Sequence, residues 1–167
     1  MRLVKIFASQ CLFQPLPQDW SISREESSRT IWFYLAVFWS IQLLLIGDAA
    51  EAFLATILEL VLTLGFLFAV LSLTKRLCFF VPAATYLMGA EALLGLLAIP
   101  VIVWLRVAED AELLVAFYSL VVLSLWGLVV LGHVFRQVLA RPSSFGFGVA
   151  CAYAVEAYLG TLFLLLL

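Results

Sequence analysis

Long apolar runs separated by short polar stretches dominate the chain. Each run approaches the ~20 residues that a helix needs to cross a hydrocarbon core of ~30 Å. We therefore predict an all-α fold, a polytopic bundle of five transmembrane helices. The runs extend over about residues 28–46, 50–73, 78–105, 113–131 and 145–167, and the fourth can continue as helix through Arg136.

The segment ahead of the first run has a different pattern. In residues 1–14, apolar side chains can share one helical face and basic side chains lie on or near the other, which is typical of a helix in the membrane interface. A loosely ordered chain end is the alternative. The pattern Ser23-x-x-Glu26 matches a capping box at the start of the first membrane helix. We therefore divide the chain into two regions, a cytoplasmic or interfacial amphipathic segment, 1–27, and a five-helix transmembrane domain, 28–167.

Lysine and arginine are distributed unevenly between the polar stretches. Eight of them precede the first run or follow the second and fourth runs, whereas Arg106 alone lies on the opposite side. Because basic loops remain in the cytoplasm, this bias predicts a cytoplasmic N-terminus and an external C-terminus. No basic start leads directly into an apolar core, so we expect the first run to act as an uncleaved anchor.

The composition excludes several other classes of protein. Hydrophobic residues make up 66% of the chain and charged residues only 12%, about half of the ~25% that is typical of soluble domains. No basic block resembles a nucleic-acid-binding surface. The three cysteines are widely spaced and the single histidine has no partner ligand nearby. We expect no cofactor, no metal and no nucleic-acid partner.

Three carboxylates lie inside the apolar runs: Glu59, Glu91 and Glu156. An ionised side chain near the middle of a membrane helix costs at least ~2.5–3.5 kcal/mol, and no lysine or arginine stands in the interior of any run. The neutral, hydrogen-bonded form is therefore expected. Hydroxyl groups in the same runs are candidate partners: Ser72, Thr85, Tyr86, Ser119, Ser124, Tyr153 and Tyr158.

Two interpretations of these glutamates remain open. The carboxyl groups can hold helices together or dock a partner subunit. They can also line a path for protons or for a cation, although such a path usually needs further polar residues. Gly89, Gly95 and Gly160 accompany two of the glutamates, and small residues of this kind allow close helix packing. The recurring pattern Glu-Ala-x-Leu-small reflects either an old duplication or chance in an Ala- and Leu-rich chain.

No recognisable catalytic constellation is present in the sequence. It contains no phosphate-cradling glycine loop, no nucleophile elbow and no histidine pair that could hold haem. An enzyme would have to work with glutamates alone. We therefore predict that the protein is not an enzyme, and we assign no catalytic residue.

The second half of the chain carries a family resemblance. The residues concerned are Gly95 to Pro100, Trp126, Gly132-His133, Arg136, Ala140-Arg141-Pro142, Gly146 and Gly148. In these positions the chain resembles a group of small proteobacterial inner-membrane proteins and, more loosely, the Yip1-like superfamily. The aromatic and acidic motif that precedes the first span of Yip1-like proteins is missing here. The resemblance implies a multi-pass protein of the bacterial inner membrane with a non-enzymatic role in trafficking, organisation or assembly.

The leading hypothesis from the sequence is an accessory, assembly or organising subunit that acts through helix–helix contacts. Its expected partners are the lipid bilayer and either a larger membrane protein or further copies of the same chain. The alternative is a small proton or cation channel or transporter that uses the intramembrane carboxylates.

Overall fold

The fold is described by a computed structural model that covers residues 2–14 and 22–165, with backbone alone for 2–6, 110 and 161–165. It is all-helical, as predicted, and no strand occurs in the described residues. The α-helices are α1 (Arg2–Cys11), α2 (Arg24–Ile46), α3 (Ala49–Leu73), α4 (Phe80–Val107), α5 (Asp110–Leu139) and α6 (Ser143–Leu165), and a short 3-10 helix (Leu77–Phe79) precedes α4.

Four of the described helices are long and apolar enough to cross a membrane: α2, α3, α5, and α4 together with its preceding 3-10 turn. This criterion concerns length and composition only. The fifth long helix, α6, is not among these four within the described residues, although its 23 residues equal the length of α2. The helices therefore indicate a multi-pass membrane protein, in agreement with the coarser part of the prediction.

Local sequence signals determine where α2 begins and ends and where α3 begins. The predicted capping box is confirmed at the start of α2, where Ser23 Oγ accepts a hydrogen bond from the Glu26 N–H at 3.1 Å and the Glu26 carboxylate accepts one from the Ser23 N–H at 3.0 Å. The helix ends at Gly47, whose φ of +87° suits glycine. Asp48 then caps α3 by accepting two backbone hydrogen bonds at 2.8 and 2.9 Å. This tight turn makes α2 and α3 antiparallel neighbours.

Two of the loops are shorter than the sequence predicted. The acidic stretch from Arg106 to Glu112 was expected to be a loop, but α4 and α5 take up most of it and leave residues 108–109 as the connection. The expected turn from Arg141 to Ser144 likewise ends early, because α6 includes its last two residues. Hydropathy marks the apolar part of a helix, whereas hydrogen bonds at its ends determine its length. The expected continuation of the fourth helix is confirmed, since α5 reaches Leu139.

Helix α4 lies at the centre of the bundle. It contacts α1, α2, α3 and α5, and residues 83–92 form an uninterrupted buried stretch. Side chains from α3, α4, α5 and α6 form the main apolar core, which includes Leu67, Leu87, Phe135 and Tyr153. Any polar group in the middle of α4 is therefore surrounded by protein on several sides.

Helix α1 packs against α4 and α5 rather than standing apart from the bundle. Phe7 is 3% exposed, and a Cβ atom at Gly89 of α4 would lie only 2.3 Å from the Phe7 ring. Burial also raises the pKa of the Cys11 thiol, which contributes to the main core. Beyond the helix, the Gln14 carbonyl oxygen lies 3.2 Å from His133 Nε2 on α5. Other helices of the bundle therefore cover the predicted apolar face of α1 at Phe7 and Cys11.

Helices α5 and α6 are in close contact at Gly146. A Cβ atom added there would lie 2.5 Å from the carbonyl oxygen of Gly132 and 2.7 Å from the backbone nitrogen of Arg136. Backbone atoms cannot move aside without displacing a whole helix, so this contact requires glycine. Gly148, two residues further along α6, has nothing within 4 Å of its added Cβ.

We predict that Gly146→Ala destabilises the bundle and that Gly148→Ala does not. Overpacking of a tight contact costs ~1–3 kcal/mol. The control should be neutral or gain up to about 1 kcal/mol, because alanine favours helix more than glycine does. Thermal unfolding of both purified variants in detergent measures the difference. Equal transitions in the two variants would contradict the close α5–α6 contact.

Candidate functional site

The three glutamates stand on three different helices and turn toward neighbouring helices. Glu91 on α4 is 8% exposed, while Glu59 on α3 and Glu156 on α6 are half-buried. Each lies at least about two turns from either end of its helix. All three glutamates therefore lie in the middle portions of their helices.

Glu59 and Glu156 face each other across a small cavity. The Gln42 amide of α2 donates a hydrogen bond to Glu59 Oε2 at 3.2 Å. Both glutamates line a cavity of about 10 Å³, together with Gln42 and Thr63. A cavity of this size holds about one water molecule, and four polar side chains would supply that water with hydrogen-bond partners.

A buried hydroxyl pair connects this cavity to Glu91. Thr63 Oγ1 lies 2.7 Å from the Tyr153 hydroxyl, and both groups are buried. Glu91 and Tyr153 both line a second cavity, which places the carboxyl group of Glu91 near the same hydroxyl. A line of groups that can each bind or give up a proton therefore runs from Glu59 and Glu156 through Thr63 and Tyr153 to Glu91.

Tyr34 on α2 completes the cluster. It is fully buried, its ring stacks on Phe38 with centroids 4.2 Å apart, and its hydroxyl group lies near Glu59, Glu91 and Thr63. That hydroxyl has no hydrogen-bond partner among the residues that the structure describes. Helices α2, α3, α4 and α6 thus each contribute polar side chains to this cluster.

Two carboxyl oxygens of the site accept no hydrogen bond from the described residues. Oε2 of Glu91 and Oε2 of Glu156 are both buried without a hydrogen-bond partner within residues 2–14 and 22–165. None of the three glutamates forms an ion pair in that part of the chain. Buried polar atoms are usually paired, either directly or through an ordered water, and the small cavity beside Glu156 has room for one water.

A second, larger cavity adjoins the cluster. It has a volume of about 300 Å³, lies between α4 and α5, and is flanked by α2 and α6. Glu91 and Tyr153 belong to its lining, so the carboxyl group of Glu91 connects the buried polar line to an apolar space. Glu59 and Glu156 line the small cavity instead.

The three glycines singled out in the sequence each meet a side chain of another helix. Gly89 lies under Phe7 of α1, and an added Cβ at Gly95 would lie 3.0 Å from Val37 of α2. At Gly160 the added Cβ would lie 2.3 Å from Leu62 of α3. These contacts bring α1, α2 and α3 close to the helices that carry Glu91 and Glu156.

Sequence reasoning found only part of the cluster. Of the proposed hydroxyl partners, Tyr153 contacts Glu91 and Ser124 lines the larger cavity, whereas Tyr158 is 68% exposed and Ser119 bonds to its own helix. The remaining members, Tyr34, Gln42 and Thr63, were not singled out. Their only sequence signal is a polar group in the middle of an apolar run.

No group of three or more metal-ligating side chains occurs in the described part of the chain. Comparison of the sequence and structure with protein-family models, curated proteins and solved structures finds no match.

The hydroxyl pair can be tested by a double-mutant cycle. We predict that Thr63→Val and Tyr153→Phe couple by at least about 0.6 kcal/mol, since cycles on hydrogen bonds between membrane helices average ~0.6 kcal/mol and reach ~1.7 kcal/mol. Tyr153→Phe combined with Ser119→Ala is the control, because Ser119 donates to the Val115 carbonyl of its own helix at 2.8 Å. The control pair should be additive within ~0.5 kcal/mol. Additive behaviour of Thr63 and Tyr153 would show that the two hydroxyls are not bonded.

Proposed function

We propose that this protein is a non-enzymatic membrane protein that passes protons along its buried carboxyl and hydroxyl groups. The observation that carries the proposal is the polar line from Glu59 and Glu156 through Thr63 and Tyr153 to Glu91. A proton can move between such groups along hydrogen bonds or through one intervening water. Intramembrane acids that face a bundle interior are typical of proton pathways.

A purely structural role accounts less well for the cluster. Carboxyl groups that only join helices should have both oxygens hydrogen-bonded, because a half-satisfied polar network is less favourable than an apolar core. Glu91, which does not line the small cavity, has a buried oxygen without a partner in the described residues. Glu59 and Glu156 also share a cavity inside a single chain, which does not favour docking of a partner subunit through them.

The proposed arrangement has five spans, α2 to α6, in the bacterial inner membrane. In it, α1 lies at the cytoplasmic interface and the C-terminus lies outside. The excess of lysine and arginine before α2 and in the α3–α4 and α5–α6 connections supports this orientation. The resemblance to small proteobacterial inner-membrane and Yip1-like proteins supports the same membrane and layout.

An accessory or organising role through helix–helix contacts is the second candidate. The observation that favours it is the exposure of α5, where only 11% of an apolar membrane-length stretch is buried. A larger membrane protein or a second copy could pack on this helix, and lipid is the simplest alternative cover. Under this candidate, replacing the buried glutamates would alter stability without altering proton movement.

Proton flux in liposomes tests the primary proposal. With an imposed pH gradient, we predict that wild-type protein accelerates proton flux and that Glu91→Gln lowers the rate at least about tenfold, because glutamine keeps the hydrogen bonds but cannot bind and release a proton. The matched control is Glu112→Gln, which alters an exposed glutamate outside the cluster. Flux equal to that of empty liposomes, or unchanged flux in a folded Glu91→Gln variant, would contradict proton transport.

Cysteine labelling tests the orientation. Cys78 is free and exposed beside the α3–α4 connection, which the proposal places in the cytoplasm. In a variant with Cys11→Ala and Cys151→Ala, we predict that a membrane-impermeant maleimide labels Cys78 only after permeabilisation. A cysteine placed at Glu109, on the opposite side, should be labelled in intact spheroplasts. The reverse pattern would overturn the orientation.

A further inference from the structure

The larger cavity beside Glu91 has the size and the lining of a ligand site. Its volume of about 300 Å³ lies at the lower end of the range for small-molecule pockets. Apolar side chains make up most of the wall, among them Phe38, Ile41, Leu94, Ile102, Leu123 and Leu128, and the polar exceptions are Glu91, Ser124 and Tyr153. An apolar wall with a few polar groups is typical of pockets that bind apolar molecules carrying one polar function.

The cavity reaches the surface at mid-depth of the bundle. Two of its lining residues, Ser124 on α5 and Ala154 on α6, are exposed. Ser124 lies ~21 Å along α5 from the first residue of that helix. In the proposed membrane arrangement this part of the surface faces hydrocarbon, so a ligand would enter sideways from the bilayer and would have to be lipophilic.

The polar character of the cavity selects the charge of the ligand. Glu91 is 8% exposed, and its Oε2 has no hydrogen-bond partner in the described residues. The titratable groups that face it are Tyr34 from α2, Glu59 from α3 and Tyr153 from α6, and all of them are neutral or acidic. The cavity lining contains no lysine, arginine or histidine. A cation is therefore the complement that this carboxylate lacks.

Aromatic rings in the wall add a second attraction for a cation. Phe38 and Tyr153 both line the cavity, and the face of an aromatic ring attracts positive charge, more strongly when the charge is desolvated. The one other polar side chain of the wall, Ser124, already donates its hydroxyl hydrogen to the Leu120 carbonyl at 2.9 Å.

We propose that this cavity binds a lipophilic monocation, an ammonium or phosphonium group on an apolar body, with its charge against Glu91. The inference rests on the proposed function, because it names the class of molecule that would compete with the proton at this carboxyl group. When Glu91 is protonated, the cation binds as the carboxyl proton leaves, so one positive charge replaces another.

Equilibrium dialysis of the purified full-length protein in detergent tests the proposal. The probe is tetraphenylphosphonium, and tetraphenylborate is its counterpart of similar shape and opposite charge. We expect saturable binding of the cation at one site and no saturable binding of the anion. Glu91→Gln should weaken cation binding at least about tenfold, because it removes the only carboxylate in the cavity lining.

A variant that fills the cavity keeps the test informative should Glu91→Gln fold poorly. Gly127 lines the cavity, and a Cβ added there would meet only Leu94, at 3.6 Å, an ordinary contact distance. Gly127→Leu should therefore abolish cation binding and leave the carboxyl cluster unchanged. Gly148→Leu is its matched control, since Gly148 faces open space outside the cavity, and it should bind as wild type does.

The outcomes separate this inference from the proposed function. Equal cation binding by wild type, Glu91→Gln and Gly127→Leu would overturn the site, as would equally tight binding of tetraphenylborate. Glu91-dependent proton flux without cation binding would likewise overturn the site and leave the proposed function standing. Cation binding that depends on Glu91 and Gly127 without proton flux would support the site and overturn proton transport.

Discussion

A carboxyl group in the middle of an apolar helix bundle must be neutral, hydrogen-bonded or paired with a cation. The arrangement of this molecule follows from that constraint. Glu91 stands on the central helix, where four other helices surround it, and no basic side chain pairs with any of the three glutamates within the described residues. Its neighbours are instead the hydroxyl groups of Tyr34 and Tyr153 and a second carboxyl group.

Small residues make this enclosure possible. Gly89 admits the Phe7 ring two residues before Glu91, and Gly95 admits α2 one turn after it. On the other side of the cluster, Gly160 admits Leu62 of α3 close to Glu156. Each glycine lets a neighbouring helix approach the helix that carries a glutamate, so close packing and the placement of the acids are parts of the same arrangement. This packing leaves only the small cavity and the larger apolar one beside the carboxyl groups.

The sequence determines the elements of this structure more clearly than their relative positions. Apolar runs and the Ser23–Glu26 capping box predict the helices, because hydropathy and capping are local properties. Glu91 is identifiable as a key residue for the same reason, since a lone acid in an apolar run is conspicuous. The hydroxyl of Thr63 cannot be identified from the sequence in this way, because its role depends on Tyr153, 90 positions away along the chain. Rotation and register of packed helices decide such pairs, and these depend on the whole bundle.

Both proposals require that the carboxyl group of Glu91 reversibly exchanges its proton while it remains buried. Infrared spectroscopy of the carboxyl C=O stretch tests this most directly, with wild type and Glu91→Gln titrated in parallel over a range of pH. We predict a protonated-carboxyl band that is absent from Glu91→Gln, weakens reversibly as pH rises and weakens further when a lipophilic cation is added. A Glu91 band that stays constant throughout the titration would show a permanently protonated structural acid and would contradict the account.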